Sequence, residues 1–219
     1  MGNRSFSLLI SSAFIKRVLS AFIIIPSMIL PVLFGEYSLI VIYLIILTFA
    51  VNEIFNIIRN SYYKIYSCIY LFITIFSIIY FIILLLSSNL RELFVLIIAT
   101  IWLFDTFSYL GGKSFKGKKI FPSVSKGKTY SGLSIGLIST VIPYYFAVNY
   151  FHSIQFIPYY FFLIIAILAF MGDTIVSLLK RSANLKDSGN LIPGHGGFLD
   201  RLDSFIFVFF VVEIYFILI

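Results

Sequence analysis

The segment SLIVIYLIILTFAVNEIFNII, residues 38–58, decides the fold class, because this long run carries a single charged residue, Glu53. A helix needs about 20 mostly apolar residues to cross the hydrocarbon core of a bilayer. The whole chain has the same character: 61% of its 219 residues are hydrophobic and only 11% are charged. Such a chain has too little polar surface to cover a soluble globule. We therefore predict an all-α integral membrane protein.

Six further runs of this kind complete a predicted polytopic bundle of about seven transmembrane helices. Together the seven runs are Val18–Phe34, Ser38–Ile58, Tyr66–Leu86, Leu93–Leu110, Leu133–Phe151, Phe156–Val176 and Leu202–Ile219. The preceding segment SFSLLISSAFI is too short to span, and we predict an interfacial helix there rather than a signal peptide. The chain then divides into an N-terminal membrane region, 1–110, with four spans, and a C-terminal membrane region, 111–219, with two polar loops and three spans.

The basic residues predict the orientation of this bundle. If the N-terminus is cytoplasmic and the spans alternate, fifteen of the sixteen Lys and Arg residues lie on the cytoplasmic side, and only Arg91 lies outside. Cytoplasmic loops carry such an excess of Lys and Arg. Two long polar segments, 111–132 and 178–201, are then cytoplasmic.

The two polar segments differ in what their charges indicate. The first is compatible with an ordinary positive-inside loop attracted to anionic lipid. The second mixes basic residues with Asp187 and Asp200, and Asp203 follows directly after it. A loop that only sets membrane orientation has no need of these acids, so the second segment is a candidate functional site.

Four acidic residues fall inside predicted spans, where an ionisable side chain is costly and by default faces the bundle interior or a wet cavity. Asp105 and Asp173 lie near the predicted cytoplasmic ends of their spans. For Glu53 the pattern leaves two interpretations open, a hydrogen bond to a neighbouring helix and a functional role. Glu213, deep in the last span, is predicted to be structural or to lie at an oligomer contact.

Helical spacing places several polar side chains together. At 100° per residue, Asp173, Ser177 and Lys180 lie within about 60° of one another on one helix face. Asp200 and Asp203 are three residues apart, and Asp105 and Tyr109 are four apart, so each pair also shares a face. Carboxylate oxygens suit a hard cation such as Mg²⁺, and the neighbouring Lys and Arg side chains suit phosphate groups.

The stretch PGHGGFLD, residues 193–200, adds a glycine-rich turn ahead of the last span. Gly194, Gly196 and Gly197 would let backbone N–H groups approach a phosphate closely, although a turn of this kind is often only a turn. His195 lies in too polar a loop to be a buried core histidine, so we expect a phosphate contact or proton transfer from it.

The order S-x-x-K-R-x-x-x-x-K-D-S-x-x-x-x-P-G-H-G-G-F-x-D-R-x-D, residues 177–203, resembles the signature of the phosphatidate cytidylyltransferases, also called CDP-diacylglycerol synthases. Upstream, Asp105, Tyr109 and the stretch FPSVSKGKTYSG, 121–132, resemble the second conserved region of that family. The resemblance covers about the C-terminal half of the chain. One departure is Ser131, which stands where the family commonly has an acid, and a proline of that region is also missing.

The resemblance implies a Mg²⁺-dependent nucleotidyltransferase of phospholipid biosynthesis that condenses CTP with phosphatidic acid to give CDP-diacylglycerol and pyrophosphate. It also implies a bacterial inner-membrane location with a cytoplasmic active site formed by the two loops. The expected partners are CTP, phosphatidic acid and membrane lipids, with no nucleic acid, and a homodimer is possible.

The resemblance also assigns roles to individual residues. The implied metal ligands are Asp173 and Asp200, with room for a second cation. The implied catalytic residues are Lys180, Arg181, Lys186, Asp187, His195, Arg201 and Asp203. The implied substrate-binding residues are Asp105, Tyr109, Ser125, Lys128, Thr129, Ser177, Gly194, Gly196 and Gly197.

Other functions stay open at this point. The closest alternative is a related CTP-dependent lipid transferase or kinase that acts on a polyprenol or an isoprenoid ether lipid. An inactive homologue is a second alternative, because of Ser131. An ion-coupled transporter would place its acids in spans related by an internal repeat, and no repeat is visible here.

Overall fold

A computed structural model of the chain describes residues 30, 35–87, 90–125, 127–151, 157–189 and 196–218. These residues are helical apart from the connections. The described part contains no β-strand, and Lys119 and Thr129 form an isolated bridge. The helices are α1 (Glu36–Asn60), α2 (Lys64–Ser87), α3 (Arg91–Phe115), α4 (Tyr130–Ser139), α5 (Val141–Tyr150), α6 (Tyr159–Ser182) and α7 (Asp203–Leu218). A 3-10 turn, Leu199–Arg201, precedes α7.

The predicted all-α membrane class is confirmed, whereas the count of seven spans stays a prediction. Five segments of the described chain are long and apolar enough to cross a bilayer: α1, α2, α3, α6, and α4 with α5 taken together. The final helix has 16 residues, short of the roughly 20 that a span needs. The predicted interfacial helix and, apart from Leu30, the predicted span Val18–Phe34 lie outside the described residues. The division of the chain at residue 110 stays a prediction.

The predicted span Leu133–Phe151 consists of two short helices, because the helix is interrupted at Thr140. Pro143 explains the interruption: a proline has no N–H to donate to the carbonyl four residues earlier, here that of Ser139. The Thr140 hydroxyl donates instead to the Leu137 carbonyl, with an O···O distance of 2.7 Å, which closes the end of α4.

The last helix, α7, occupies the centre of the bundle. Phe209 of α7 stacks on Phe81 of α2 with ring centroids 4.4 Å apart, and Phe94 of α3 meets the Phe81 ring edge-on at 4.9 Å. Tyr43 of α1 packs against the same Phe81 ring at 5.0 Å. A helix that is apolar on all sides is stable when other helices surround it, and this position fits the apolar sequence of α7.

Three connections meet at one end of the bundle, which we call the polar end. The Tyr62 N–H, just after α1, donates to the Ser182 carbonyl at the end of α6, at 3.1 Å. The Arg181 Nε donates to the Val124 carbonyl in the loop after α3, also at 3.1 Å. These are the connections for which the basic residues predict a cytoplasmic location, and the orientation of the polar end stays a prediction.

Two close helix contacts position the site at the polar end. At Gly132 of α4, an added Cβ would lie 2.5 Å from the Ser108 carbonyl oxygen of α3, so only glycine allows this approach. At Gly172 of α6, an added Cβ would lie 2.7 Å from the Asp203 carbonyl oxygen of α7. Because these two glycines have no side chain, α3 can approach α4 closely, and α6 can approach α7 closely, near the polar residues.

Candidate active site

A cavity of about 420 Å³ lies at the polar end, among α3, α4, α6, the loop before α4 and the start of α7. Most of the predicted site residues line this cavity. From the predicted substrate-binding set it is lined by Asp105, Tyr109, Ser125, Lys128 and Thr129. From the predicted metal ligands and catalytic residues it is lined by Asp173, Asp200, Lys180, Asp187, Arg201 and Asp203. Residues far apart in the sequence thus share one polar space.

Other nominated residues do not line this cavity. Arg181 donates to the Val124 and Leu185 carbonyls and so joins two connections. Lys186 is exposed, and Ser177 reaches the site only through Asp173. Gly196 and Gly197 lie beside the cavity rather than in its lining. Two further nominated residues, Gly194 and His195, lie outside the described residues.

Lys128 connects the loop before α4 to α6. Its Nζ lies 3.1 Å from Asp173 Oδ2 and donates to Thr174 Oγ1 at 2.6 Å. The same ammonium lies 4.8 Å from the centre of the Phe170 ring, a distance at which a cation is attracted by the ring face. Lys128 is therefore held over the cavity by a carboxylate, a hydroxyl and an aromatic ring of one helix.

Asp173 is the central carboxylate of the cavity. The Ser177 hydroxyl donates to its Oδ1 at 3.2 Å, so these two residues share a helix face as their spacing predicts. Asp105 of α3 and Asp203 of α7 line the same cavity as Asp173. Three helices thus each place one carboxylate at this cavity.

The second anchored carboxylate, Asp200, is almost fully paired. Its Oδ1 accepts from Lys180 Nζ of α6, and both side chains are about nine-tenths buried. Its Oδ2 accepts the backbone N–H groups of Ser188, at 3.0 Å, and of Gly197, at 3.1 Å. Asp200 therefore fixes two backbone segments to α6, while Lys180 remains at the cavity wall.

Glu53 is the residue whose part in the site the sequence left undecided. Its Oε1 accepts the Phe198 N–H at 2.8 Å, and its Oε2 accepts the Leu199 N–H at 2.8 Å and the Ser188 hydroxyl. The only sequence signal for this role is that Glu53 is a lone acid in an apolar span. Its partners are far away in the sequence, so no local spacing could identify them.

The glycine-rich turn makes contacts within the protein. Gly196 has a φ of 84°, in the region that favours glycine. An added Cβ at Gly197 would lie 2.5 Å from Glu53 Oε2 and would also meet the Ser188 hydroxyl. The Gly197 N–H donates to Asp200 Oδ2, and the phosphate contact expected of this turn stays a prediction.

Thr129 and Ser131 shape the start of α4. The Thr129 hydroxyl caps this helix by accepting the Gly132 N–H at 3.1 Å. The Ser131 hydroxyl accepts the Gly117 N–H at 3.2 Å, and an added Cβ at Gly117 would lie only 2.6 Å from that oxygen. Ser131, the departure from the family pattern, thus occupies a close contact that suits a short side chain.

A metal ion fits the site by the chemistry of its donors. Carboxylate and hydroxyl oxygens are the ligands that Mg²⁺ prefers, and Asp173 and Ser177 supply both kinds. Among the described residues, however, no group of three or more His, Cys, Asp or Glu side chains converges closely enough to hold an ion. The two predicted ligands, Asp173 and Asp200, each pair with a lysine instead.

Comparison with known proteins relates this chain to one family. A family model described as the cytidylyltransferase family matches residues 59–219. A phosphatidate cytidylyltransferase of Rickettsia conorii is 33% identical over 210 residues, which cover 91% of this chain and 90% of that protein. The Rickettsia typhi phosphatidate cytidylyltransferase is 44% identical over 140 residues, covering 59% of this chain and 61% of that protein. The Bacillus subtilis phosphatidate cytidylyltransferase is 40% identical over 113 residues, covering 49% and 41%.

Proposed function

The chain belongs to the cytidylyltransferase family, and on that basis we propose that it condenses CTP with phosphatidic acid to give CDP-diacylglycerol and pyrophosphate. One observation carries the proposal: every residue that lines the polar cavity lies within the matched segment 59–219. The relatives from Rickettsia typhi and Rickettsia conorii are phosphatidate cytidylyltransferases. The proposed role of the enzyme is therefore in phospholipid biosynthesis.

The proposed reaction is a nucleotidyl transfer without a covalent enzyme intermediate. A phosphate oxygen of phosphatidic acid attacks the α-phosphorus of CTP, a new P–O bond forms, and the bond to the β-phosphate breaks to release pyrophosphate. Two highly anionic reactants must approach each other, so positioning and charge neutralisation are the main contributions that the protein can make.

Three basic residues at the cavity wall are suited to that task. Lys128, Lys180 and Arg201 all line the cavity. Lys128 and Lys180 are held in place by Asp173 and Asp200. Side chains that are already ordered lose little further conformational entropy when a phosphate binds. We propose that these three cations bind the phosphates of CTP and of the lipid.

We further propose that Asp173 and Asp200 would hold Mg²⁺, with Asp105 and Asp203 supporting them. When bound, this ion would supply positive charge to the phosphates of CTP. The two lysines would then exchange their carboxylate contacts for phosphate oxygens of the substrates. The presence of Asp105, Asp173 and Asp203 at one cavity supports this proposal, because carboxylate oxygens are the ligands that Mg²⁺ prefers.

For the location, we propose the bacterial inner membrane, with the polar end and its cavity facing the cytoplasm. The basic residues support this orientation. CTP is a soluble anion, and a cavity at the cytoplasmic surface would meet both CTP and the phosphate of a lipid headgroup. A homodimer is proposed by resemblance alone.

Product analysis tests the proposed reaction. Purified protein in liposomes that contain phosphatidic acid is incubated with Mg²⁺ and CTP labelled in the cytosine ring, with the Asp173→Asn variant as a control. We expect labelled CDP-diacylglycerol and an equal amount of pyrophosphate from the wild type. Release of labelled CDP with a phosphorylated lipid would instead indicate a kinase. Reaction with an isoprenoid ether lipid phosphate but not with phosphatidic acid would indicate the related transferase.

A further inference from the structure

Glu53 lies in α1, outside the segment 59–219 that the family model matches. It is 5% exposed and does not line the cavity. A buried carboxylate is costly unless hydrogen bonds satisfy its oxygens. Glu53 therefore has to be explained by the groups that it binds.

Glu53 binds the backbone of the turn that carries two cavity residues. The N–H groups of Phe198 and Leu199 donate to its two different oxygens, each at 2.8 Å. These N–H groups stand at the start of the 3-10 turn Leu199–Arg201, where a turn cannot satisfy its own donors. The carboxylate of α1 thus caps, from another helix, the turn that presents Asp200 and Arg201 to the cavity.

Ser188 connects Glu53 to Asp200. Its hydroxyl donates to Glu53 Oε2, and its backbone N–H donates to Asp200 Oδ2 at 3.0 Å. Asp200 also accepts the Gly197 N–H at 3.1 Å. Two carboxylates, one inside the cavity wall and one behind it, therefore hold the same two backbone segments, 186–189 and 196–200.

The sequence leaves space for Glu53 at both segments. An added Cβ at Gly189 would lie 2.6 Å from Glu53 Oε1, and one at Gly197 would lie 2.5 Å from Oε2. A Cβ at either position would force the Glu53 carboxylate or the segment to shift, so glycine at both positions allows the observed close approach. Gly189 and Gly197 therefore leave room for the Glu53 carboxylate.

We propose that Glu53 is a positioning residue for the proposed cytidylyl transfer. Glu53 acts through the 3-10 turn and fixes Asp200 and Arg201 at the cavity. The effect of Glu53 on catalysis rests on the proposed function. The geometric part, that Glu53 orders residues 196–200, stands independently of that function.

The main test compares two buried acids. Glu53→Gln keeps the shape but replaces one acceptor oxygen with an NH₂ group that faces a backbone N–H. We expect kcat to fall by about 10- to 100-fold, as is typical when a partner behind a site residue is lost. We expect the KM values for CTP and phosphatidic acid to change less than about threefold, because Lys128 and Lys180 remain. Glu213→Gln, a change at a fully buried acid of α7 that does not line the cavity, should leave kcat within about twofold.

A double-mutant cycle separates positioning from general packing. If Glu53 acts through Asp200, Glu53→Gln should change the residual kcat of Asp200→Asn by less than about twofold. Equal fold losses in the wild-type and Asp200→Asn backgrounds would overturn the proposal. Near-normal kcat in Glu53→Gln, or an equal loss in Glu213→Gln, would overturn it as well.

If Glu53→Gln does not fold, Ser188→Ala takes its place, because this change deletes one hydrogen-bond donor to Glu53 and keeps the carboxylate. We then expect kcat to fall by about 3- to 10-fold, with the same dependence on Asp200.

Hydrogen exchange tests the geometry without any activity. In wild-type protein the amides of Phe198 and Leu199 should exchange slowly, and in Glu53→Gln their exchange should accelerate by at least about tenfold relative to Glu213→Gln. Unchanged exchange at these amides would overturn the proposal. If exchange accelerates while no CDP-diacylglycerol forms from the wild type, the proposed function fails and the positioning of the turn by Glu53 stands.

Discussion

Lys128 and Asp173 form an ion pair across the cavity, with Nζ 3.1 Å from Oδ2. The pair joins the loop before α4 to the middle of α6, and the Thr174 hydroxyl and the Phe170 ring complete the surroundings of the ammonium. A cation held in this way is ordered before any substrate binds. The ion pair therefore fixes the position of the loop relative to α6 and holds one positive charge at the cavity.

We predict that Lys128→Met lowers the rate of CDP-diacylglycerol formation by about 100-fold, the scale on which loss of one key electrostatic contact acts. The matched control is Lys118→Met, because Lys118 is an exposed lysine of the same loop. The control should keep at least half of the wild-type rate. Initial rates in mixed micelles check both variants, and equal losses would show that only the net charge of the loop matters.

Three asparagine substitutions test the proposed metal ligands. Asp173→Asn and Asp200→Asn should each reduce the rate by orders of magnitude, because each removes a proposed Mg²⁺ ligand and with it the positive charge that the ion would supply to the phosphates. Asp187→Asn should cost less, although Asp187 also lines the cavity. The measurement is activity against Mg²⁺ concentration, with monodispersity checked for each variant. An unchanged Mg²⁺ dependence with near-normal rate in either of the first two would refute the assignment.

The buried pair Lys180 and Asp200 also makes a prediction about stability. Asp200→Asn leaves a charged lysine in a site that is nine-tenths buried, and breaking such a pair costs about 3–5 kcal/mol. Asp173 is 36% exposed, and Lys128 keeps the Thr174 hydroxyl and the Phe170 ring as partners, so Asp173→Asn should destabilise less. Adding Lys180→Met to Asp200→Asn should restore most of the stability and none of the activity. Thermal unfolding in detergent measures these differences, and a double variant no more stable than Asp200→Asn would contradict them.

Cysteine labelling tests the predicted orientation. The native exposed Cys68 is first replaced by serine. Cysteines at Ser123 and Lys186, both exposed at the polar end, should then react with a membrane-impermeant reagent only when it has access to the cytoplasm. A cysteine at Ser88, which lies outside the described residues, should react from the opposite side. Ser188 lies in the same loop as Lys186 but is unsuitable, because it is 1% exposed. Labelling of Lys186→Cys from outside would refute the orientation and the location of the site.

The sequence was sufficient to predict the all-helical membrane class and most of the cavity. Apolar runs of about 20 residues predict membrane-spanning helices, because a helix satisfies all its backbone hydrogen bonds within the segment. Asp173 and Ser177 could be paired from their spacing because they share one helix, where the geometry is fixed by the chain itself. Most of the residues that the family resemblance nominated also line the cavity.

The tertiary structure decided the contacts between distant parts of the chain. Glu53 binds residues more than 130 positions away, and nothing in its neighbouring sequence encodes that distance. In the same way, Lys180 pairs with Asp200 and Lys128 with Asp173 because a turn and a loop from other parts of the chain pack against α6. Local spacing determines which side chains share a helix face, whereas helix packing determines which faces meet. In this protein, close glycine contacts at Gly132, Gly172 and Gly197 set that packing around the site.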